Sequence, residues 1–465
     1  MKNHQLSIDR YQVYKTTEIE WLNEVPKHWS LSRIKNLTKT KSGSTPQSGL
    51  SQYYDNGTHF WVRTTDLNNN KLYSSEFKVT DLAREQHNLV SIPTGSVLLA
   101  MYGGMGTIGK NAILQKEVTI NQSVCAIFPN DKKFVSAYLW YYIQYFRPHW
   151  EIFADSARKD PNINQEAIKR LWVTLPPIVE QKTIAHYLDT KTAQIDRKID
   201  LLTQKATLYG DLKRSLINEI VTRGLDKSVP MKDSAIEWLG AVPEHWEVRR
   251  IKEVAYINKK ALTDKTPNDY EFDYIDIGSV TYGFKGFSSE RMTFENAPSR
   301  ARRIVKRGDT IISTVRTYLK AITSIDDDFT DLIVSTGFAV VSPRKFLFSK
   351  YFSYLSTSNF IIDKICALST GVSYPATNAS VIADLFCIIP PLSEQKVIAD
   401  YLDTKTAQID QIIQTINTQI EKLQELRKTL INDVVTGKIK VIDNWQWRIN
   451  YEYDSTTAKN RPSTQ

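Results

Sequence analysis

The chain has 465 residues, of which 41% are hydrophobic and 24% charged, and this composition excludes an intrinsically disordered protein. Its apolar runs are too short to span a membrane, and three scattered cysteines (Cys125, Cys366 and Cys387) predict a reducing cytoplasm without disulfide bonds. The formal net charge of +9 is compatible with a polyanionic partner, because lysine and arginine displace counterions from nucleic-acid phosphates.

Two blocks of sequence occur twice along the chain. The leading block, residues 19–35 (IEWLNEVPKHWSLSRIK), returns at residues 236–252 with 11 of 17 positions identical. The closing block, residues 176–196 (PPIVEQKTIAHYLDTKTAQID), returns at residues 390–410 with 17 of 21 positions identical. Such a long period indicates a duplicated domain and not a solenoid repeat, and two similar halves predict a pseudo-twofold molecule.

A divergent middle region follows each leading block. Short strand-like runs alternate there with turns rich in Gly, Asn and Pro; examples are HFWVRTTDL and SVLLAMY in the first copy and DTIISTV and GFAVVSP in the second. Helical patterns follow at residues 134–146 and 348–366. Each middle region is therefore predicted to be a compact α+β domain.

The closing blocks open two long predicted helices. Apolar residues recur in heptads after each Pro-Pro pair, as in Leu188, Ile195, Leu202, Tyr209 and Leu216 of the first copy. A helix of roughly 40 residues spans about 60 Å, which is more than one such domain can cover. We therefore expect the two helices to pack antiparallel as a coiled coil that holds the divergent domains apart. An amphipathic helix lying on its own domain is the alternative.

The predicted fold class is α+β, with two pseudo-twofold-related α+β domains separated by two long antiparallel coiled-coil helices. The predicted order is an N-terminal arm (1–18), a first domain (19–175), a first helix (176–224), a linker (225–235), a second domain (236–389), a second helix (390–438) and a C-terminal tail (439–465).

Residues 99–111 (LAMYGGMGTIGKN) contain a G-x-G-x-x-G pattern that also occurs in nucleotide-binding loops. A P-loop requires Ser or Thr after its lysine, but Asn111 follows Lys110, and the sequence beyond predicts strands where a P-loop requires a helix. The corresponding stretch of the second copy, residues 308–320, lacks the glycine cluster. We therefore expect a tight connection between two strands.

Two divergent domains, each between a tryptophan-containing leading block and a P-P-x-x-E-Q-K helix start, resemble the specificity subunit of type I restriction-modification enzymes. The resemblance covers residues 18–440 and includes GSTPQSG (43–49) followed by FWVRTTDLNN. It implies two target recognition domains that each read one half of a split DNA sequence. It also implies that the helices fix the gap between the halves and dock two methyltransferase (modification) subunits, and that restriction subunits join this core.

The resemblance implies no catalysis and no cofactor on this chain, because the partner subunits would hold S-adenosylmethionine, ATP and Mg²⁺. Candidate DNA contacts are polar or basic loop residues of the divergent domains, since Arg and Lys reach guanine edges or phosphates and Tyr stacks or bonds phosphate oxygens. A solvated surface position is the alternative for each. The candidates are Lys41, Ser44, Arg63, Thr65, Tyr102, Lys110, Arg158 and Lys159 in the first domain and Arg316, Tyr318, Lys320, Ser369, Thr370 and Tyr374 in the second.

The resemblance further implies that the repeated blocks contact repeated partners. Base stacking by their tryptophans is not favoured, because nearly identical blocks cannot distinguish two half-sites; packing against the helices or the domain core is preferred. The partner-docking candidates are Trp21, Trp29, Glu180, Gln181, Trp238, Trp246, Glu394 and Gln395.

Two other functions stay open at this stage. Asp160 with Glu180 and Lys182 imitates a D…E-x-K nuclease site, but Tyr374 replaces Asp160 in the second copy and Glu180 suits the first turn of a helix. A stand-alone DNA endonuclease is therefore the weaker alternative, and a coiled-coil scaffold without a DNA role is the third. The histidines show no metal-ligand spacing.

Overall fold

The computed structural model describes residues 10–103, 106–153, 162–280, 286–371 and 373–441, with the backbone alone at 151–153. The chain divides into two compact units: unit 1 comprises Met1–Leu201 and Gln419–Gln465, and unit 2 comprises Leu202–Thr418. The division passes through both long helices. Each unit therefore combines one divergent domain with the first part of one long helix and the last part of the other, and the predicted α+β class is confirmed.

Unit 1 begins with small strands, followed by a mixed sheet and the helices that cover it. Within the predicted N-terminal arm, Tyr11 is buried and β1 has already begun. The strands are β1 (Tyr14–Ile19), β2 (Leu22–Pro26), β3 (Ser30–Arg33), β4 (Thr40–Ser42), β5 (His59–Val62), β6 (Asn70–Leu72), β7 (Lys78–Val79), β8 (Val97–Ala100), β9 (Asn111–Leu114), β10 (Thr119–Ile120), β11 (Val124–Ile127) and β12 (Trp172–Leu175). The helices are α1 (Ile34–Leu37), α2 (Asp81–Gln86), α3 (Ser136–Phe146), α4 (Gln165–Arg170) and α5 (Ile178–Arg223), which continues into unit 2.

The principal sheet of unit 1 has the strand order β4-β11-β8-β9-β6. Its central strands β8, β9 and β11 are fully buried, because continuous apolar runs such as VLLA and VCAI leave no polar face for solvent. A second sheet has the order β10-β5-β7, and β1-β2 and β12-β3 form two separate two-stranded sheets. The aromatic helix α3 packs with the start of α5 and the end of the second long helix in one core.

Unit 2 repeats this plan. Its strands are β13 (Met231–Asp233), β14 (Ala241–Pro243), β15 (Glu247–Arg250), β16 (Ala255–Ile257), β17 (Glu271–Ile275), β18 (Glu290–Thr293), β19 (Ala301–Ile304), β20 (Thr310–Ser313), β21 (Ile322–Ser324), β22 (Leu332–Ser335), β23 (Phe338–Pro343) and β24 (Phe386–Ile389). Its helices are α6 (Ile251–Val254), α7 (Ser349–Ser356), α8 (Asn359–Ala367), α9 (Ala379–Asp384) and α10 (Leu392–Val435), which continues into unit 1. The sheet order β16-β23-β20-β21 corresponds to β4-β11-β8-β9, and β15-β24 corresponds to β3-β12.

The helical pattern at residues 348–366 corresponds to two helices with a turn between them. α7 ends at Ser356 and α8 begins at Asn359. The side chains of Ser356, Thr357 and Ser358 donate hydrogen bonds to the backbone carbonyls three residues earlier. These bonds offer the backbone an alternative to continued helix, so the chain turns between the two helices.

The long helices α5 and α10 lie close to their predicted ranges, 176–224 and 390–438. In unit 1, Thr174 Oγ1 donates to Val435 O (2.9 Å), and Arg427 Nε donates to Asp196 Oδ1 (2.8 Å). Contacts that lie later in α5 therefore meet residues that lie earlier in α10, so the predicted antiparallel pairing holds within unit 1.

Unit 2 shows the same antiparallel pairing. The Tyr351 hydroxyl lies between two backbone carbonyls, 3.0 Å from Ile388 O just before α10 and 3.3 Å from Val221 O near the end of α5. Further along, Lys213 Nζ lies 2.6 Å from Asp410 Oδ2.

Within the described ranges, every helix is too short or too polar to pass through a lipid bilayer.

A glycine follows the end of each long helix in the left-handed region, Gly224 at φ +76° and Gly437 at φ +79°. Gly437→Ala is expected to lower the free energy of unfolding by about 2 kcal/mol or more, because an L-residue is disfavoured there and its Cβ would lie 2.4 Å from Pro26 Cδ. Thermal unfolding of the full chain measures this. The control is Gly210→Ala, inside α5 with open space around it, which should stabilise by up to about 1 kcal/mol. Equal melting temperatures for the two variants would contradict the close approach at Gly437.

Candidate nucleic-acid interface and helix anchors

The glycine loop of unit 1 connects two antiparallel strands. β8 and β9 pair from Val97↔Ile113 to Leu99↔Asn111, and the loop lies between them. Gly104 and Met105 lie outside the described residues. A strand begins directly after Lys110, whereas a phosphate-binding loop opens a helix at that point. The expected connection between two strands is therefore confirmed.

The corresponding hairpin of unit 2 is formed by β20 and β21. Its connection, residues 314–321, contacts the loop at residues 369–371 and 373–377, and Thr377 N donates to Thr314 O (2.8 Å). We call these two segments the hairpin surface of unit 2. Unit 1 repeats the contact, since Ile163 N donates to Met101 O (3.0 Å). In both units the hairpin connection is thus joined to the loop before a short helix.

All six DNA-contact candidates of unit 2 lie on this hairpin surface. Arg316, Tyr318 and Tyr374 are exposed, and the Arg316 guanidinium lies over the Tyr374 ring at 4.8 Å from its centroid. Ser369 Oγ accepts a hydrogen bond from Thr317 Oγ1 (2.8 Å), which joins the two segments. The remaining candidates, Lys320 and Thr370, lie on the same segments. The structure brings these residues together, and their contact with DNA stays a prediction.

The candidates of unit 1 fall into separate groups. Tyr102 and Lys110 lie on the β8–β9 hairpin, and Lys41 lies on β4. Near β5, Trp61 Nε1 donates to Ser44 O (3.2 Å), and the Arg63 guanidinium stacks on Phe77 at 3.3 Å. The candidate Thr65 is exposed near Arg63, whereas Arg158 and Lys159 lie outside the described residues.

A buried carboxylate anchors the start of α5 to the leading block of unit 1. Glu180 is 4% exposed; Trp29 Nε1 donates to its Oε1 (2.9 Å), and His28 Nε2 lies 2.9 Å from its Oε2. The Tyr11 hydroxyl also donates to Oε1. Burial and the neighbouring Glu180 raise the pKa of Tyr11, so its hydroxyl stays protonated and acts as the donor.

Unit 2 repeats this anchor at the start of α10. Trp246 Nε1 donates to Glu394 Oε2 (3.1 Å), and His245 Nε2 lies 2.8 Å from the same oxygen. A Cβ on Gly224, after the end of α5, would lie 3.2 Å from Trp246. The leading-block tryptophan therefore contacts the beginning of one long helix and the end of the other within the same unit.

A buried glutamine reinforces each helix start. Gln181 Nε2 donates to Pro176 O (2.8 Å), while Gln181 Oε1 accepts a hydrogen bond from Val135 N (2.8 Å). Val135 immediately precedes α3, so one side chain joins the starts of two helices whose first N–H groups lack partners inside the helix.

Gln395→Ala in unit 2 is expected to lower the free energy of unfolding by about 2–4 kcal/mol. Gln395 is fully buried; it donates to Pro390 O and Phe346 O and accepts from Phe348 N, so its loss leaves three backbone groups without their partner. Thermal unfolding of the full chain measures the loss. Lys396→Ala, at the exposed next position, is the control and should change stability by no more than about 0.5 kcal/mol. Similar melting temperatures for both variants would show that the hydrogen bonds contribute little.

Sequence reasoning missed the tyrosines that hold the helices to the domains. Tyr141 OH donates to Asp189 Oδ1 (2.7 Å), and Tyr354 OH donates to Asp403 Oδ1 (2.7 Å). Both aspartates belong to the identical YLDTKTAQID segment of the closing blocks. Three residues earlier, Tyr138 and its counterpart in α7 reach the last turn of the other long helix. The repeated Tyr-x-x-Tyr spacing was the available signal.

The other two leading-block tryptophans, Trp21 and Trp238, each pack on a phenylalanine. The ring centroids are 4.9 Å apart for Trp21 and Phe146 and 4.7 Å apart for Trp238 and Phe360. Of the eight docking candidates, five are buried inside this chain: Trp29, Glu180, Gln181, Trp246 and Gln395. Their placement gives them an intramolecular anchoring role, and docking by any of the eight residues stays a prediction.

The nuclease interpretation gains nothing from this geometry. Glu180 Oε1 already accepts hydrogen bonds from Trp29 and Tyr11, and its Oε2 lies 2.9 Å from His28 Nε2, so both oxygens are occupied inside the chain. Asp160, the other acidic member of that pattern, lies outside the described residues.

Comparisons with known proteins agree on one family. The family model described as "Type I restriction modification DNA specificity domain" matches residues 26–206 and again residues 243–422. The chain is 31% identical over 449 residues to the EcoKI specificity subunit of Escherichia coli K12, covering 91% of each chain. It is 24% identical over 439 residues to the putative MjaX specificity subunit of Methanocaldococcus jannaschii, covering 92% of this chain and 97% of that one.

One solved structure supports the fold. Its title is "Structural basis underlying complex assembly and conformational transition of the type I R-M system", and its TM-score is 0.66 at 15% identity. The match covers 88% of this chain and 98% of that one.

Proposed function

The chain belongs to the type I restriction-modification DNA specificity family, and we propose that it reads a bipartite DNA target with its two divergent domains. One contrast between the units carries this proposal. The residues that the units share hold each domain to the long helices, whereas the hairpin connections differ: YGGMGTIGK in unit 1 and VRTYLK in unit 2. A protein that reads two different half-sites needs a common scaffold with variable surfaces.

Charge supports contact with the DNA backbone. The net charge of +9 favours phosphates, which would supply sequence-independent affinity, while the hairpin connections would supply the choice of bases. Binding of this kind weakens steeply with salt, so affinities are to be compared at one ionic strength.

We further propose that two methyltransferase subunits dock beside the long helices. Unit 1 has a groove between Arg147 and the residues Lys428 and Asn432 of α10. Unit 2 has a groove between Lys364 and Asn218 of α5, and Asn218 occupies the repeat position of Asn432. Two equivalent grooves suit two copies of one partner. Restriction subunits would join the assembled core.

In this proposal the chain performs no catalysis and carries no cofactor. The methyltransferase subunits would bind S-adenosylmethionine and flip the target adenine out of the duplex, and the restriction subunits would use ATP and Mg²⁺. A cytoplasmic location belongs to the same proposal, on the grounds of three free cysteines and a DNA target.

Methylation-aware sequencing of a strain that lacks this chain tests the proposal. Adenine methylation at one bipartite motif should disappear and return when the chain is restored. Unchanged methylation would contradict a role in modification. Incubation of the pure chain with DNA and Mg²⁺ is the companion experiment, because cleavage without partner subunits would favour an endonuclease.

A further inference from the structure

Two basic residues of the unit 2 hairpin surface have a backbone conformation that L-amino acids rarely adopt. Arg316 lies at φ 52° and ψ 50°, and Lys320 lies at φ 52° and ψ 39°. Counted from the paired strand ends, the same two positions of the unit 1 hairpin hold Gly103 (φ 115°) and Gly109 (φ 73°). Glycine adopts this region without steric cost, so the turn does not need basic side chains. Their presence in a strained conformation points to a function.

Arg316 also lacks the internal partners that other arginines of its domain have. Residues 236–389 contain nine arginines, and seven donate to a carboxylate or a backbone carbonyl. Arg303 is partly buried in β19. Arg316 is exposed, and among the described residues it contacts the face of Tyr374 without donating to an acceptor. The seven paired arginines are Arg249, Arg250, Arg291, Arg300, Arg302, Arg307 and Arg344.

Stacking on Tyr374 leaves the edge of the guanidinium group available. The group is planar and presents its N–H donors as a fork, which matches two acceptors in one plane. Stacking restricts the orientation of that plane, so the fork is oriented before a ligand arrives. Two ligands on DNA offer paired acceptors of this kind: a phosphate group and the O6 and N7 atoms of guanine.

We propose that Arg316 reads a guanine in the half-site bound by unit 2, donating two N–H groups to O6 and N7 in the major groove while Tyr374 fixes the guanidinium plane. This inference rests on the proposed function, since it assumes that unit 2 binds DNA. Guanine is favoured over phosphate by the comparison between the units. A phosphate contact carries no sequence information and would serve both half-sites, but unit 1 has Gly103 at this position.

Arg316→Gly tests the proposal, because glycine keeps the turn and removes the side chain. In cells that carry this variant with the partner subunits, methylation-aware sequencing should show one G·C position of one half-site relaxed to any base. The other positions and the other half-site should be unchanged. On duplexes that differ only at this position, the ratio of the assembled complex's affinities for guanine and for the other bases should fall about 10- to 100-fold. The melting temperature of the variant should be equal or higher, since strain is removed.

The control is Arg291→Ala, which removes an exposed arginine already paired with Glu271 and Asp273 and should leave base preference unchanged. If Arg316→Gly weakened DNA binding equally on every duplex, Arg316 would contact a phosphate, and the guanine contact would be overturned. A lower melting temperature with intact base preference would make Arg316 structural and also overturn it. Failure of the proposed function is distinguishable, because the wild-type chain would then support no motif-specific methylation.

Discussion

A chain whose residues 34–171 are replaced by its own residues 251–385 is expected to direct methylation to a target with the same half-site at both ends. The replaced stretch contains the divergent part of unit 1, including both segments of its hairpin region. The leading block, the long helices and the second domain stay as they are. If each domain reads its half-site independently, the first half-site disappears and the second appears twice.

The structure supplies the junctions for this exchange. Ile34 N donates to Leu171 O (3.1 Å), and Ile251 N donates to Leu385 O (2.9 Å), so both domains close at equivalent bonds. The strand pairs β3-β12 and β15-β24 lie just outside the exchanged stretches and remain intact. The incoming domain also brings Tyr351 and Tyr354, which take the places of Tyr138 at the end of α10 and Tyr141 near the start of α5.

Methylation-aware sequencing of cells that carry the exchanged chain reads out the new target. Each mismatched base pair costs about 1–3 kcal/mol, so several mismatches in the lost half-site should reduce methylation of the original target by at least about 100-fold. The reciprocal exchange is the matched control and should give the first half-site twice. An unchanged target, or a change in both half-sites from one exchange, would contradict independent reading.

The sequence predicted the long helices closely because two independent signals agreed on them. Heptad spacing marked the buried face, and Ile409 and Ile416, the second-copy counterparts of Ile195 and Leu202, are 8% and 4% exposed. The Pro-Pro pairs marked the starts, directly before Ile178 and Leu392. The glycine loop was also predicted correctly, because the second copy lacked its glycines and the following residues suited a strand.

The anchors could not be predicted from one sequence, because the partners are distant along the chain. Trp29 and Glu180 are separated by 151 residues, and Tyr141 and Asp189 by 48. Repetition marked these residues as shared but did not show whether they face a partner subunit or the chain's own helices. Burial in the structure assigns Trp29 and Glu180 to internal anchoring.

The division of the chain into units was also beyond sequence reasoning. Domain boundaries were expected where the repeated blocks begin and end, near residues 175 and 390. Those boundaries stay predictions, and the two compact units divide the chain inside the helices, after Leu201 and after Thr418. Each domain buries the end of the helix that follows the other domain, as Val434 and Val435 show in the unit 1 core. Heptad spacing specifies a buried face but not which domain covers it.

Insertion of seven residues into both long helices, after Leu201 and after Thr418, is expected to lengthen the spacer between the half-sites by about three base pairs. Seven helical residues add about 10.5 Å, and DNA rises about 3.4 Å per base pair. A full heptad keeps the apolar seam on the same face. Both insertion points lie at the division between units, so the pairs Arg427–Asp196 and Lys213–Asp410 are retained. Both half-sites should be unchanged.

The matched control replaces seven exposed helix residues near the same points without changing the length, and it should keep the original spacer. Insertion into α5 alone is a second control, since it shifts one helix against the other and should lower the melting temperature. Methylation-aware sequencing measures the spacer directly as the number of unspecified bases between the half-sites. The double-insertion variant could instead still methylate the target with the original spacer. That result would contradict the prediction and mean that the partner subunits, not the helices, set the distance between the half-sites.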